Sequence, residues 1–414
     1  MPEADTNYSF RSRWSRSRIL IGSPALMRET NARTILKLVR QLGPCSRADL
    51  VRKTGMSAPT VANVISDLDT RGLIEWTGAG TSSGGRRPSN LRFKANFGCV
   101  AGVDLCVDGV RILLTDLNGE PLEELHEPLP KAVRTPSAVV RMLRTSVDEM
   151  LNRHRLTTEK LLAMAVAAEG ITNARDGIIL SVGDSEAWRN VPLLDLLRQQ
   201  FSCLLYVDNN ANLAALGEHF RGVAESEESF IFVLMNGGSG VGAGIFVNGK
   251  IVHGAHWSAG EIGYLHVPNV SNVQPSLYEY GRLEQLLSGT GILKSWNSAG
   301  GKKAANATLK KASDVLDLAL TGNALAQKIV HQRARMLADV VLNLSLTLNP
   351  SLFVFGGDLG RHPALLEPLV DLLRKSEIAA ARVLPSGLGN SAVAWGAVAA
   401  ALQASEEGLY STAP

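Results

Sequence analysis

The sequence predicts a small helical head with a two-strand wing, followed by an alternating α/β body of two lobes. Three observations predict it. Short apolar periods of helical spacing between residues 31 and 68 are separated by Gly43-Pro44 and Gly55. A strand, a Gly/Ser-rich tip and a second strand then run from Leu73 to Phe93. From Val100 onward, short apolar runs alternate with helical patterns. A length of 414 residues suits two to four domains at roughly 100–200 residues each, and the body is long enough for two lobes.

In order, residues 1–27 read as a flexible basic arm, with Ser and Arg alternating from Arg11 to Arg18 and no amphipathic period. Ile35, Leu36, Val39 and Leu42 define one face of a first helix over 31–42, which Gly43-Pro44 ends. Ser46-Arg-Ala-Asp49 is a capping-box pattern for a second helix through Lys53. Gly55 turns the chain. Ser57 caps a third helix whose inner stripe is Val61, Val64, Ile65 and Leu68 and whose outer face shows Pro59, Thr60, Asn63 and Ser66. This spacing is the helix-turn-helix layout. The following strands make it winged, with Arg86 and Arg87 at the wing base.

Charge separates the head from the body. Residues 1–94 carry 16 Lys and Arg against 7 Asp and Glu, whereas the remainder carries 26 against 32. A basic head on a mildly acidic body points to nucleic acid. Small polar side chains on the third helix suit the major groove, which places Ser57, Pro59, Thr60 and Asn63 against duplex DNA and Arg86 and Arg87 against phosphate or minor groove.

The other classes are narrowed by composition. Hydrophobic residues are 45% and charged residues 20%, which excludes a wholly disordered or collagen-like chain. No apolar run reaches the ~20 residues that span a bilayer. Met1 to Gly22 lacks the apolar core of a secretory signal. Cys45, Cys99, Cys106 and Cys203 form no C-x-x-C pair, so the expectation is a cytoplasmic protein without a thiolate metal framework.

In the body, strand-like runs recur at 100–103, 111–115, 161–166, 204–207, 230–234 and 353–355, with helical patterns at 137–152, 192–201 and 325–347. Two Gly-rich stretches follow strands: Asn236 to Gly244, before a strand at Ile245, and Phe355-Gly-Gly-Asp358. Each reads either as a phosphate-approaching loop or as a tight turn.

Taken together, the short motifs resemble the ROK family (repressors, open reading frames and kinases) in its repressor branch. They are Gly84-Gly-Arg-Arg-Pro88, Gly102-Val-Asp104, Asp208-Asn-Asn-Ala-Asn212 with Ala214-Ala-Leu-Gly-Glu218, Gly238 to Gly244, Asn248-Gly-Lys250, Ala259-Gly-Glu-Ile-Gly263, Gly281-Arg-Leu-Glu284, Asn349-Pro350 and Gly356-Gly357. The resemblance spans roughly residues 28–402. It implies a winged helix-turn-helix over 28–96 and an actin-like, sugar-kinase-like body. Its smaller lobe would be 97–221 with 388–405, its larger lobe 222–387, and 406–414 a tail.

Departures from the family pattern bear on activity. The resemblance puts a kinase's general base at Asn210, and an amide cannot accept the proton of a sugar hydroxyl at neutral pH. The family's D-x-G-G-T phosphate loop reads Asp104-Leu-Cys-Val-Asp108. At the zinc positions the family implies stand Tyr264, Pro275, Leu277 and Arg282, so no metal and no cofactor are expected. His253, His256 and His266 read as ordinary surface or cleft residues. Sugar-contacting positions implied by the family are Asn209, Asn210, Glu261, Tyr264 and Glu284. Asn209 reads equally as an Asx-turn, Glu261 as a turn-holding carboxylate and Glu284 as a charge favoured at a helix N-terminus. Glu169 stands where the family has Pro, and Trp188 is either a sugar-face or a core tryptophan.

The expected function is therefore a sugar-responsive repressor with a catalytically silent body. It would act as a homodimer or tetramer on a roughly palindromic duplex DNA operator, with a sugar or sugar derivative as effector. A kinase that also regulates, and a DNA-binding protein whose body only dimerises, are the competing readings.

Overall fold

The computed structural model describes residues 24–79, 89–106, 109–129, 135–238, 240–271, 276–305, 308–374 and 381–410. They fall into two compact units divided between Lys94 and Ala95.

In the first unit, helix α1 (Pro24–Leu42) is followed by β1 (Cys45–Ser46), α2 (Arg47–Thr54), α3 (Ala58–Thr70), β2 (Ile74–Ala79) and β3 (Ser89–Phe93). α1 begins earlier than its predicted start at 31 and takes in the end of the predicted arm. The Glu29–Arg33 ion pair, one turn apart, and the buried Ala32 extend the helical face that far. Ile35, Leu36 and Val39 are buried, but Leu42 is 38% exposed, because the helix stops there. The Ser46–Asp49 capping box forms, and Gly55 closes α2 in the left-handed conformation (φ 69°). Leu50, Val61, Ile65, Leu68, Leu73, Ile74, Leu91 and Phe93 complete the core, whereas Val64 is only half-buried. β2 and β3 pair antiparallel, and β3 also pairs with β1. The wing tip, with Arg86 and Arg87, lies outside the described residues, as does the stretch from Arg11 to Arg18.

The second unit holds two five-stranded sheets with one topology. The first is built from β4 (Cys99–Cys106), β5 (Gly109–Asp116), β6 (Pro121–Pro128), α4 (Pro136–Arg153), β7 (Leu161–Ala168), the hairpin β8 (Ile171–Asn173) and β9 (Ile178–Ser181), α5 (Leu193–Arg198), β10 (Leu204–Asn209) and α6 (Asn210–Arg221). The second comprises β11 (Phe230–Met235), β12 (Val241–Val247), β13 (Lys250–Ile251), α7 (Arg282–Leu287), α8 (Gly289–Ser298), α9 (Gly301–Ala305), α10 (Ala312–Leu320), α11 (Ala324–Leu348), β14 (Leu352–Gly356), α12 (Gly357–Gly360), α13 (Pro363–Leu373), β15 (Arg382–Pro385) and α14 (Ala392–Tyr410). Strand orders are β10-β7-β4-β5-β6 and β13-β12-β11-β14-β15. Each sheet is thus a three-strand antiparallel meander with two further strands added in parallel beside the first.

Each half lends its last helix to the other. α6 packs on β11 and β12, where a Cβ at Gly244 would lie 2.2 Å from the Ala211 carbonyl oxygen. α14 packs on the first sheet, where a Cβ at Gly102 would lie 2.4 Å from the Ala394 carbonyl oxygen. The two helices meet at Gly217 and Gly396, and a Cβ on Gly396 would fall 1.6 Å from the Leu213 carbonyl oxygen. The Gly-rich stretch 236–244 consequently differs from the expected loop. β12 starts at Val241, so Gly242 and Gly244 are strand residues, and Gly244 is kept small by the backbone of α6. Among the described residues, no helix is long and apolar enough to cross a membrane.

Candidate functional site

β7 and β10 end, and β12 begins, around one open cavity lined by Asn209, Asn210, Glu261, Tyr264 and Glu284 together with Glu169, Ser181 and Tyr280. The structure thus gathers in one place five residues that come from sequence positions 209 to 284. Tyr280 and Ser181 carried no sequence signal, because loop position alone brings them there.

Asn209 is half consumed by the fold. Its side-chain oxygen caps α6, accepting from the Ala211 N–H (2.8 Å) and the Asn212 N–H (3.3 Å), while its amide donates to the Gly170 carbonyl (2.8 Å). One amide hydrogen is left for a ligand. Asn210, the first residue of α6, lines the cavity with no side-chain hydrogen bond to the described residues. Glu261 follows Gly260, whose φ of 90° and approach to the Ala243 carbonyl admit no side chain. Glu284 sits in the first turn of α7 and accepts from the Val241 N–H at 3.2 Å. A Cβ at Gly240 would lie 1.6 Å from its Oε1, so a glycine there is what admits the carboxylate.

Burial pushes both carboxyls up to about 7, and the charge of Glu284 adds to the effect on Glu261. Burial and the same two carboxylates push the Tyr264 phenol up to about 12. Its hydroxyl donates to the Ser276 (3.2 Å) and Glu279 carbonyls, so its ring faces the cavity and its hydroxyl ties down the 276–279 loop. Leu277 and Arg282 offer no thiolate to zinc, and Pro275 lies outside the described residues. No group of three His, Cys, Asp or Glu is gathered for a metal among the described residues.

Behind Asn209, the buried Asp208 accepts from the Tyr206 hydroxyl (2.7 Å), the Asn212 amide (3.1 Å), the Asn209 N–H (2.7 Å) and the His253 ring (2.8 Å). His253 is therefore not an ordinary cleft residue. The hydrogen bond to Asp208 raises its pKa above 6.5, against the opposing pull of burial. A histidine raised on folding stabilises fully below its unfolded value, and the contribution is lost as pH rises through the folded value. Chemical denaturation between pH 6 and pH 9 should show a loss of stability with rising pH that His253→Gln lacks; equal pH dependence in both proteins would remove the charge from this pair.

A second cavity of about 980 Å3 is lined by Asp104, Cys106, Asn236, Gly237, Gly238, Gly357 and Asp358, among others. Here both Gly-rich stretches meet. The Asp358 carboxylate accepts from the Gly237 N–H at 2.7 Å, filling with a protein oxygen a position where loop amides elsewhere face phosphate. Val107 and Asp108 lie outside the described residues.

On the head, Ser57 caps α3 by accepting from the Thr60 N–H (3.3 Å), and the two hydroxyls bond each other at 2.8 Å. Pro59, Asn63 and Ser66 are exposed on its outer face.

Residues 100–404 match the profile of the ROK family, and the chain belongs to that family. It is similar to the xylose repressor of Bacillus spizizenii, at 25% identity over 388 residues covering 91% of this chain and 96% of that one. The DNA-binding transcriptional dual regulator NagC of Escherichia coli is 25% identical over 357 residues, covering 85% of this chain and 86% of that one. Among solved structures, a ROK family transcriptional regulator described as a homolog of the E. coli MLC protein superposes with a TM-score of 0.76 at 21% identity, covering 93% of this chain and 98% of that one. A ROK hexokinase from Thermus thermophilus does so with 0.60 at 22% identity, covering 75% and 99%. At these identities, the structural likeness establishes the fold.

Proposed function

We propose that this chain is a sugar-responsive transcriptional repressor whose body binds its effector and performs no phosphoryl transfer. The observation that carries the reading is the cavity wall itself. Glu261, Glu284 and Asn210 suit the paired donor and acceptor needs of sugar hydroxyls, yet the position of a kinase base holds an amide. Asp358 on the Gly237 amide supports the same conclusion, since a phosphate would have to displace a carboxylate. The similarity to a xylose repressor and to the regulator NagC supports regulation over catalysis.

In this reading the exposed face of α3 (Pro59, Asn63, with Ser57 and Thr60 at its start) reads bases, and Arg86 and Arg87 hold the phosphate backbone. The protein works in the cytoplasm as a homodimer or tetramer on a roughly palindromic operator. The body acts as two lobes, 97–221 with 388–405 and 222–387, and a sugar between them lowers operator affinity by about 5–150-fold, the usual range of allosteric coupling. No zinc is needed. The test is a mobility-shift survey of the gene's own upstream region with and without a sugar panel, beside a coupled ATP-consumption assay. Retarded DNA released by one sugar, with no ATP turnover, is the expected result. No retardation at low salt, or turnover with any sugar, overturns the reading.

A further inference from the structure

An open groove lies between β10 and β13, the strands at the ends of the two sheets, and shares no lining residue with the cavity around Asn210. Its floor is apolar, with Leu213 and Leu216 from α6, Phe246 from β12 and Ala400 from α14. Three nitrogen donors stand along it. Lys250 of β13 and Gln403 of α14 are exposed, and neither side chain has a hydrogen bond or ion pair with the described residues. His253 gives Nε2 to the buried Asp208 at 2.8 Å, and its Nδ1 has no hydrogen-bond partner among the described residues. The bond to Asp208 favours the charged imidazolium, which carries a proton on Nδ1 as well. The groove touches both halves of the body, since β10 and α6 come from one and β12, β13 and α14 from the other.

We propose that this groove is a second ligand site, for a small monocarboxylic acid with an apolar body. Its carboxylate would face Lys250, His253 and Gln403, and its hydrocarbon part would lie on Leu213, Leu216, Phe246 and Ala400. Charge selects the headgroup. Asp208 already balances the imidazolium, so Lys250 is the cation left to a ligand among the lining residues. One negative charge matches it, whereas a dianionic phosphate would set its second charge against the Asp208 carboxylate. The floor selects the body. An exposed lysine alone attracts any anion weakly, but a hydrocarbon also takes apolar surface out of water. A sugar acid would bring hydroxyls to a floor with no partner for them. The site stands whether or not the cavity around Asn210 takes a sugar.

The experiment is calorimetric titration of the full-length protein with benzoate, 4-phenylbutyrate and hexanoate. The matching amides, phenyl phosphate and glucuronate are titrated beside them. At least one apolar carboxylate should bind with a Kd of about 1 mM or tighter, and about ten-fold or more tightly than its own amide. Lys250→Met should weaken that binding about five-fold. Ala404→Leu, which adds bulk to the groove wall, should abolish it. Lys250 is exposed, so its substitution leaves the fold intact and carries the test where Ala404→Leu fails to fold. Binding of no apolar carboxylate overturns the proposal, as does an amide that binds as tightly as its acid. Affinity that survives the substitutions places the ligand elsewhere and overturns it too. Phenyl phosphate or glucuronate binding as tightly as the best apolar carboxylate overturns the ligand class.

Discussion

Glu261→Gln should abolish release of the operator by sugar and, at the same time, stabilise the unliganded protein above neutral pH. Both effects come from one carboxyl. Enclosed beside Glu284 and without a hydrogen-bond partner among the described residues, Glu261 is held at about 7 by burial first and by its neighbour's charge second. A carboxyl raised on folding keeps its proton in the native state at a pH where the unfolded chain has lost it. Stability therefore falls as pH climbs from about 4.5 to about 7, and stays lower above that window. Removing the charge should recover of order 1–3 kcal/mol at pH 8 and nothing at pH 4.5. For the ligand the sign reverses. An ionised carboxylate accepts from two hydroxyls, whereas glutamine offers one acceptor and a donor. Losing a charge-assisted bond costs about 1.5–3 kcal/mol, or roughly 10–150-fold in sugar affinity. Thermal melting across pH and titration of sugar against the operator complex read the two halves separately. Equal release from both proteins would take Glu261 out of the sugar contact, and unchanged melting at pH 8 would remove the electrostatic strain.

The largest loss of stability should come from Glu218→Ala. This carboxylate is fully buried near the end of α6. It accepts from the Val223 N–H (2.9 Å), the Gly387 N–H (3.3 Å), the Leu388 N–H (3.1 Å) and the Ser386 hydroxyl. Alanine would strip the acceptor from the buried Ser386 hydroxyl and from the N–H groups of Val223, Gly387 and Leu388, and each donor that water does not reach costs about 1–3 kcal/mol. A loss of that size is a large share of the stability of an ordinary domain, so a lower melting temperature and a reduced soluble yield are expected. Glu218→Gln keeps an acceptor but turns an NH2 toward donors, and should fall between the two. A Glu218→Ala protein of normal yield and unchanged melting temperature would mean that water replaces the carboxylate.

Legibility in the sequence followed interaction range. Helix α3, the Ser46–Asp49 box and strands β4, β7, β11 and β14 depend on neighbours a few residues away, and their patterns were plain. The cavity residues were visible through family motifs, yet their division of labour was not. Whether Asn209 caps a helix or meets a sugar depends on the Gly170 carbonyl, thirty-nine residues earlier. Asp208 and His253 are paired across 45 residues, and the Tyr264 tether depends on where a loop returns. Gly244 reads as part of a loop because nothing local shows that α6 will press on it.

The exchange of closing helices has a consequence for modularity. α6 and α14 follow the last strand of equivalent sheets and pack on one another at the Gly217–Gly396 contact. A gene fragment ending after α6 would encode a first sheet stripped of α14, and its own final helix would have no second sheet to cover. Although the topology reads as a duplication, neither copy contains its own roof. The body is interlocked, so truncation scanning should yield soluble protein from a boundary at 94/95 and from none inside 95–409.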